Sequence, residues 1–215
     1  MATKPKRPID DRLLDTAIDQ FGRKGLEGAS TRAIAAAART AMSSITYHYG
    51  GKDGLHIAAA RHIGQQIGAR MAAALGGQPN PSDLSPEAAV DAVLGMVDGF
   101  LGLMLAPESA PWARFIVREQ LEPTKAFTIL WEQFMKPLSG RLVALTERAG
   151  AGRWDAQESR LRALTMIGQL LVFRVARATA LAMTQWDDIG ATEAAAIRRV
   201  AHANVRAILS AGKSS

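Results

Sequence analysis

The chain of 215 residues contains no cysteine. Disulfides, thiolate metal sites and a cysteine nucleophile are excluded together, and a reducing cytoplasm is the compartment expected for it. Strand signals are nearly absent, since no stretch of alternating β-branched residues is bounded by turn chemistry. No uninterrupted apolar run reaches about 18 residues, and the best candidate, Leu161 to Trp186, is broken by Arg174 and Arg177. No membrane span and no membrane partner is therefore expected. Met1 to Asp10 is polar and basic and lacks the apolar centre of a secretory signal.

Enzymatic signatures are missing as well. The histidines His48, His56, His62 and His202 lack metal spacing with acids, and His56 and His62 do not stand at i, i+4 on one helix face. No Gly-x-Ser-x-Gly occurs. Gly212-Lys213-Ser214 resembles the tail of a phosphate loop but lacks the upstream glycine. No catalytic residue, no metal and no cofactor is expected, and the chain is read as not an enzyme.

What is present is helical and basic. Apolar residues make up 48%, enough for a real core, and the formal net charge is +6. Residues 1–55 carry nine Lys/Arg against six Asp/Glu, and residues 56–215 carry seventeen against fourteen. Both parts are +3, but the first is about a third as long, so basic density peaks near the N-terminus, where Lys4-Pro5-Lys6-Arg7 opens it. Such a balance permits nucleic-acid binding without establishing it.

Ile9, Leu13, Leu14, Ala17, Ile18 and Phe21 recur at three- and four-residue steps, one apolar stripe that Gly22 and Gly25 are expected to end. Ser30-Thr31 is a good N-cap pair for a second helix with Ile34, Ala35 and Ala38 inside. After a break at Arg39-Thr40, a brief helix runs from about Met42 to Tyr49 and stops at Gly50-Gly51. A longer helix runs from Lys52 to about Leu75, then a loop from Gly76 to Pro86. Helices follow at roughly 87–105, 112–121, 124–149 with a kink at Pro137, 155–185 and 192–210. The fold class expected is all-α: a three-helix helix-turn-helix domain over residues 1–55, then a larger helical bundle over residues 56–215.

Two short helices joined by a tight turn after an amphipathic helix form the layout of a helix-turn-helix. Ile34, Ala38 and Ile45 would make its small core. The second helix then turns Ser43, Ser44, Thr46, Tyr47 and His48 toward solvent or a groove, a set of hydroxyls, a phenol and an imidazole suited to phosphates and base edges. Lys52 sits in the first turn of the next helix, where free N–H groups and the dipole favour an anion.

Leu13 to Leu55 resembles the N-terminal domain of TetR-family regulators. The matching features are Ala17, Phe21, Gly25, Thr31-Arg32, Ile34-Ala35, Ala38, and the closing Tyr47-His48-Tyr49 followed by Lys52-Asp53-Gly54-Leu55. The resemblance implies that Thr31, Arg32, Ser43, Ser44, Thr46, Tyr47, His48 and Lys52 face double-stranded operator DNA, with Tyr49 packing rather than contacting it. Two departures stand out. Arg39 occupies the place of the family's usual turn glycine, which implies a strained or differently wound backbone, and Thr46 replaces a commoner tyrosine. Ile45 to Leu55, Phe115 to Thr124 and Ile167 to Arg174 resemble the CecR-type branch, whose members are associated with drug-tolerance and transport genes.

In the second part, Leu101, Leu103, Met104, Leu105, Trp112, Phe115, Ile116, Phe127, Trp131, Phe134 and Met135 gather apolar, aromatic and methionine side chains on three helices. They either fill a core or line a pliable pocket for a small apolar or amphipathic inducer, and inside a bundle of this family the pocket is the better explanation. Arg118, Glu119, Gln120 and Arg174 lie among them; either Arg118 or Arg174 pairs with Glu119, or one of them meets a polar ligand group. Leu161, Leu164, Ile167, Gly168, Leu171 and Val175 form one broad apolar face, and Ala196, Ile197, Val200, Ala203, Asn204 and Ile208 another. These faces are consumed within one subunit or pair with a second copy; the resemblance implies a homodimer built on the last two helices. It also implies a repressor on an inverted repeat, with recognition helices about 34–36 Å apart. The alternative is a helical adaptor that binds protein and has no DNA affinity.

Overall fold

A computed structural model of the chain describes residues 9–75 and 79–212. The basic arm Lys4–Arg7, the loop residues Gly76 to Gln78, and Lys213-Ser214 lie outside the described residues. Among those described, every regular element is helical: α1 (Ile9–Gly28), α2 (Thr31–Ala37), α3 (Met42–Tyr49), α4 (Lys52–Leu75), α5 (Pro86–Leu105), α6 (Ala110–Leu121), α7 (Lys125–Leu130), α8 (Lys136–Gly150), α9 (Ala156–Val175), α10 (Arg177–Thr184) and α11 (Ala191–Ser210), with short 3-10 turns at Pro81–Asp83 and Pro107–Ser109. The all-α expectation holds, and α3 and α4 begin and end where glycine and cap signals put them.

Packing divides the chain into two compact units. One comprises the described residues to Gln66 together with Ala110–Phe134; the other comprises Ile67–Ser109 and the described residues from Met135 onward. This is not the expected functional division at residue 55, because α6 and α7 belong by packing with the N-terminal helices. The functional division is taken up under the proposed function.

In the first unit, Leu13, Ala17, Ile18 and Phe21 of the α1 stripe are buried, as their spacing requires. Gly22 does not end α1. It lies where a Cβ would stand 3.1 Å from the Phe115 backbone nitrogen and 3.2 Å from Arg114 Cβ, so it lets α6 approach closely. The break comes at Gly25, whose φ of 73° is outside the helical region. Across that close approach, Arg114 donates to Asp19 Oδ1 at 2.9 Å.

In the second unit α5 is the central helix: Val93, Leu94, Met96, Val97, Leu101, Leu103 and Met104 are buried, most of them against α8, α9 and α11. It is also the helix with the length and mean hydropathy of a membrane span, which corrects the expectation that Leu161 to Trp186 is the best candidate. That stretch is not one helix. The expected helix 155–185 breaks at Ala176 (φ −117°, ψ 40°), and α9 and α10 diverge by 88°. No glycine or proline marks the break, so it carries no local sequence signal; an Arg177–Asp188 ion pair holds the far side. Near the kink expected at Pro137, a π-helical turn spans Trp131–Met135 just before the proline, whose missing N–H removes one bond from the helical ladder.

The end of α11 is clamped. Arg153 donates to the Ser210 and Leu209 carbonyls at 3.2 and 2.8 Å, Arg162 to those of Ile208 and Gly212, and the Trp154 indole N–H to Ala211 at 3.2 Å. Both guanidiniums also lie over the Trp154 ring. Two cations on orphan C-terminal carbonyls complement the helix dipole and fix α11 against α9.

Candidate nucleic-acid interface

Helix α2 starts at the predicted cap: Ser30 Oγ accepts from the Ala33 N–H at 3.4 Å. Its end is a Schellman motif. The Arg39 N–H reaches the Ala36 carbonyl at 3.1 Å and the Thr40 N–H reaches Ala35 at 3.0 Å. Arg39 therefore occupies the left-handed position of the turn, with φ of 54°, as the departure from glycine there implied. Arg12 of α1 latches the same turn by donating from Nε to the Ala38 carbonyl at 2.8 Å.

Ile34 and Ala38 are fully buried and Ile45 almost so, the small core expected between α2 and α3. Anchoring Ile45 decides which face of α3 is free. Ser43, Thr46, Tyr47 and His48 are exposed, Tyr47 at 84%, while Ser44 and Tyr49 are half-buried. The His48 ring meets the edges of both tyrosines, with centroids at 4.9 Å to Tyr47 and 6.3 Å to Tyr49. On α2, Arg32 is exposed and Thr31 half-buried. Hydroxyl, phenol, imidazole and guanidinium groups thus share one exposed helix-turn-helix surface.

Lys52 has a second role that its position in the sequence did not show. Its ammonium donates to the Glu27 carbonyl at 3.1 Å and lies 3.5 Å from that of Ala29, with the Glu27 carboxylate at 4.0 Å. It thereby ties the first turn of α4 to the end of α1, and it is 30% exposed.

The residues expected to line a pocket fall in both units. In the first, Trp112, Phe115 and Glu119 are buried, Ile116, Arg118, Phe127 and Phe134 are half-buried, and Trp131 is 40% exposed. Glu119 has a built environment. Its Oε2 accepts from the Thr124 N–H at 3.1 Å, the Thr124 hydroxyl at 2.9 Å and the Phe127 N–H at 3.0 Å. Its Oε1 lies 3.5 Å from Nε2 of His56, itself buried between Phe21 and Phe115. Burial pushes the His56 imidazole below its ordinary value, with the Glu119 and Asp53 carboxylates opposing. Arg118 lies 3.9 Å from Glu122 and packs over Gly25.

In the second unit, Leu101 and Met104 are buried and Leu105 half-buried. Arg174 donates to the Met104 and Ala106 carbonyls at 2.6 Å each, capping the end of α5. The question left open by sequence has a structural side: Glu119 accepts from Thr124 and Phe127 beside His56, Arg118 lies near Glu122, and Arg174 caps α5. An apolar pocket in this unit with about 20 Å³ of free space is lined by Met71, Met96, Val97, Phe100, Leu138, Leu142, Met166, Ile167 and Leu170. Sequence reasoning did not select it, because its residues come from four helices and none departs from ordinary core composition.

Of the residues expected at a dimer interface, Leu164, Leu171, Val175, Val200 and Asn204 are exposed, and Ile167 and Ile208 half-buried. Ile197 is not on that face; it is 4% exposed in the core, a correction set by the register of α11, where Ile197, Ala201, Val205 and Leu209 point inward. Asn204 donates to Gln169 at 3.0 Å, joining α11 to α9.

Residues 13–59 match the profile of the tetR family of bacterial regulatory proteins. Residues 89–212 match the C-terminal domain of the HTH-type transcriptional dual regulator CecR. Over 184 residues the chain is 34% identical to the dual regulator CecR of Shigella flexneri, covering 81% of this chain and 79% of that one. The regulatory protein RaaS of Mycobacterium tuberculosis is 27% identical over 58% of this chain and 50% of its own. Among solved structures, a TetR-like regulator from Rhodococcus sp. RHA1 superposes with a TM-score of 0.63 at 22% identity, covering 95% of this chain and 99% of that one. AibR, solved with isovaleryl coenzyme A and operator DNA, gives 0.69 at 16% identity, covering 92% and 98%. The chain belongs to the TetR family of transcriptional regulators, on its CecR-like side, and its α2–α3 pair is that family's DNA-binding helix-turn-helix.

Proposed function

We propose that the protein is a ligand-responsive repressor that binds an inverted-repeat operator as a homodimer in the cytoplasm, and that a small apolar or amphipathic inducer releases it. The functional division at residue 55, with DNA binding before it and ligand binding and dimerisation after it, is part of this reading. The observation that carries it is the free face of α3, where Tyr47, Thr46, His48 and Ser43 are exposed while Ile45 is held in the core. Thr31 and Arg32 of α2 extend that surface, with Ser44 and Lys52 at its edge. Lys52 can serve both the α1 carbonyls and a phosphate, because an ammonium has three donors.

Ligand response follows from α4. It begins at Lys52 beside the recognition helix and carries Met71, which lines the apolar pocket of the second unit. The free space there suits one small group, so a larger guest requires side chains to move, and Met71, Met96 and Met166 supply soft torsions. A ligand that shifts α4 moves the segment carrying Lys52, and by linkage DNA then weakens ligand binding by the same factor. The acyl-CoA bound by AibR supports an inducer with an apolar arm.

Tyr47→Ala tests the head directly. The side chain is 84% exposed, so folding is unaffected while DNA from the protein's own upstream region binds roughly tenfold more weakly or worse, as expected for loss of one good base contact. A mobility-shift titration reads the result. Equal affinity of the variant and the parent would remove Tyr47 from the interface; no shift by the parent at low salt, with the adaptor's indifference to salt, would overturn the DNA-binding reading itself.

A further inference from the structure

Arg39 stands in a conformation that L side chains rarely adopt, at the turn between α2 and α3. The position is over-determined: the Schellman pair of hydrogen bonds closes around it, and Arg12 holds the adjoining Ala38 carbonyl. Glycine meets the same backbone demand without a Cβ penalty. Among the described residues nothing compensates the arginine for that penalty. Its side chain is exposed and, among the described residues, makes no hydrogen bond and no ion pair.

The stretch itself is one-signed, although Asp10 and Asp11 of α1 act on Tyr49 at the far end of α3. From Ala29 to Gly51 the sequence holds no Asp or Glu, and its formal charges are Arg32 and Arg39, both exposed. Two exposed guanidiniums on α2 and the turn after it, in a stretch that contributes no carboxylate of its own, favour a polyanion there. Arg39 does not lie on α3, whose exposed face carries the hydroxyls and rings, but on the turn that precedes it. A planar, permanently charged fork at that place matches a phosphate oxygen pair better than a base edge.

We propose that Arg39 is a contact to the DNA phosphate backbone, held on the turn at the expense of backbone strain, and that it adds affinity without sequence preference. This rests on the DNA-binding reading of α2–α3. Removing the side chain by Arg39→Gly should then act in opposite directions on folding and on binding. The variant melts no lower than the parent, because glycine suits the left-handed position. Its affinity falls several-fold for upstream DNA and for a scrambled duplex of equal length alike, and the slope of log affinity against log salt falls by about one phosphate's worth. Arg39→Lys keeps the strain and the charge and recovers most of the slope.

The experiment is fluorescence anisotropy with both duplexes across a salt series, beside thermal melts of the three proteins. An unchanged slope in Arg39→Gly overturns the proposal while leaving the head's function intact. A reduced slope that Arg39→Lys does not recover also overturns it, by assigning the effect to turn geometry. A parent protein that binds neither duplex overturns the underlying DNA-binding reading, a result distinct from the other two.

Discussion

Glu119→Ala is expected to lower the unfolding free energy by about 3 kcal/mol, the range found when one partner of a buried polar pair is removed. The carboxylate is 3% exposed and satisfies three donors at once: two backbone N–H groups and the Thr124 hydroxyl. Those donors open α7, so truncating Glu119 leaves the Thr124 amide and hydroxyl without their acceptor, while the Phe127 N–H keeps only the Thr124 carbonyl at 3.1 Å. It also leaves His56 between two phenylalanine rings without its nearest carboxylate. Urea unfolding at neutral pH measures the loss as a lower midpoint with unchanged slope. A midpoint equal to that of the parent would mean that water or a neighbour replaces the carboxylate.

The same pair gives a sign for pH dependence. The imidazole of His56 is depressed below its ordinary value of 6.5, chiefly by burial. On acidification the unfolded chain therefore takes up this proton before the folded one does, and stability falls as pH drops below about 6.5 toward the folded value; above 6.5 this histidine contributes no slope. Because Glu119 is the principal group raising the imidazole's value, its removal depresses His56 further and carries the slope to lower pH.

The DNA-binding head was legible in sequence because its determinants are local. A serine cap, a small apolar triad and a glycine stop each act within one turn, and Ser30, Ile34, Ala38, Ile45 and Gly50 took the positions those rules give. Even the oddity of Arg39 was readable, since the turn constrains φ whichever residue occupies it. What misled was tertiary. Gly22 has the look of a helix terminator, yet its lack of a Cβ serves the contact with α6, a partner that arrives nearly a hundred residues later. The break at Ala176 has no local signal, and Ile197 and Val200, both apolar on α11, differ in burial through helix register alone. Charged residues posed the same difficulty. Sequence left Arg174 and Glu119 open between an ion pair and a ligand contact, and each also closes the end or start of a neighbouring helix. Helix termini consume buried polar side chains, and sequence does not show which terminus will come near.

Introducing Leu164→Glu and Val200→Glu together is expected to split the proposed dimer into monomers. Leu161, Leu164, Leu171, Val172 and Val175 leave an apolar stripe on α9 exposed, with Leu164 at 66%, and Val200 on α11 is 55% exposed. A contiguous row of exposed apolar side chains at helical spacing marks a candidate interaction surface. Across the proposed two-fold axis the same patch would meet its own copy, so each glutamate would be duplicated and face like charge while losing water. Neither side chain belongs to the buried core, so helical content stays that of the parent. The effect on DNA is larger than any single contact, because a dimer holds its second half-site at high effective concentration; losing it costs roughly a hundredfold in operator affinity or more. Sedimentation measures the first effect and anisotropy on operator DNA the second. A variant that still sediments as the parent does, with operator affinity intact, would place the subunit interface on another face; a parent that is itself monomeric when bound to DNA would remove the two-fold operator from the proposal.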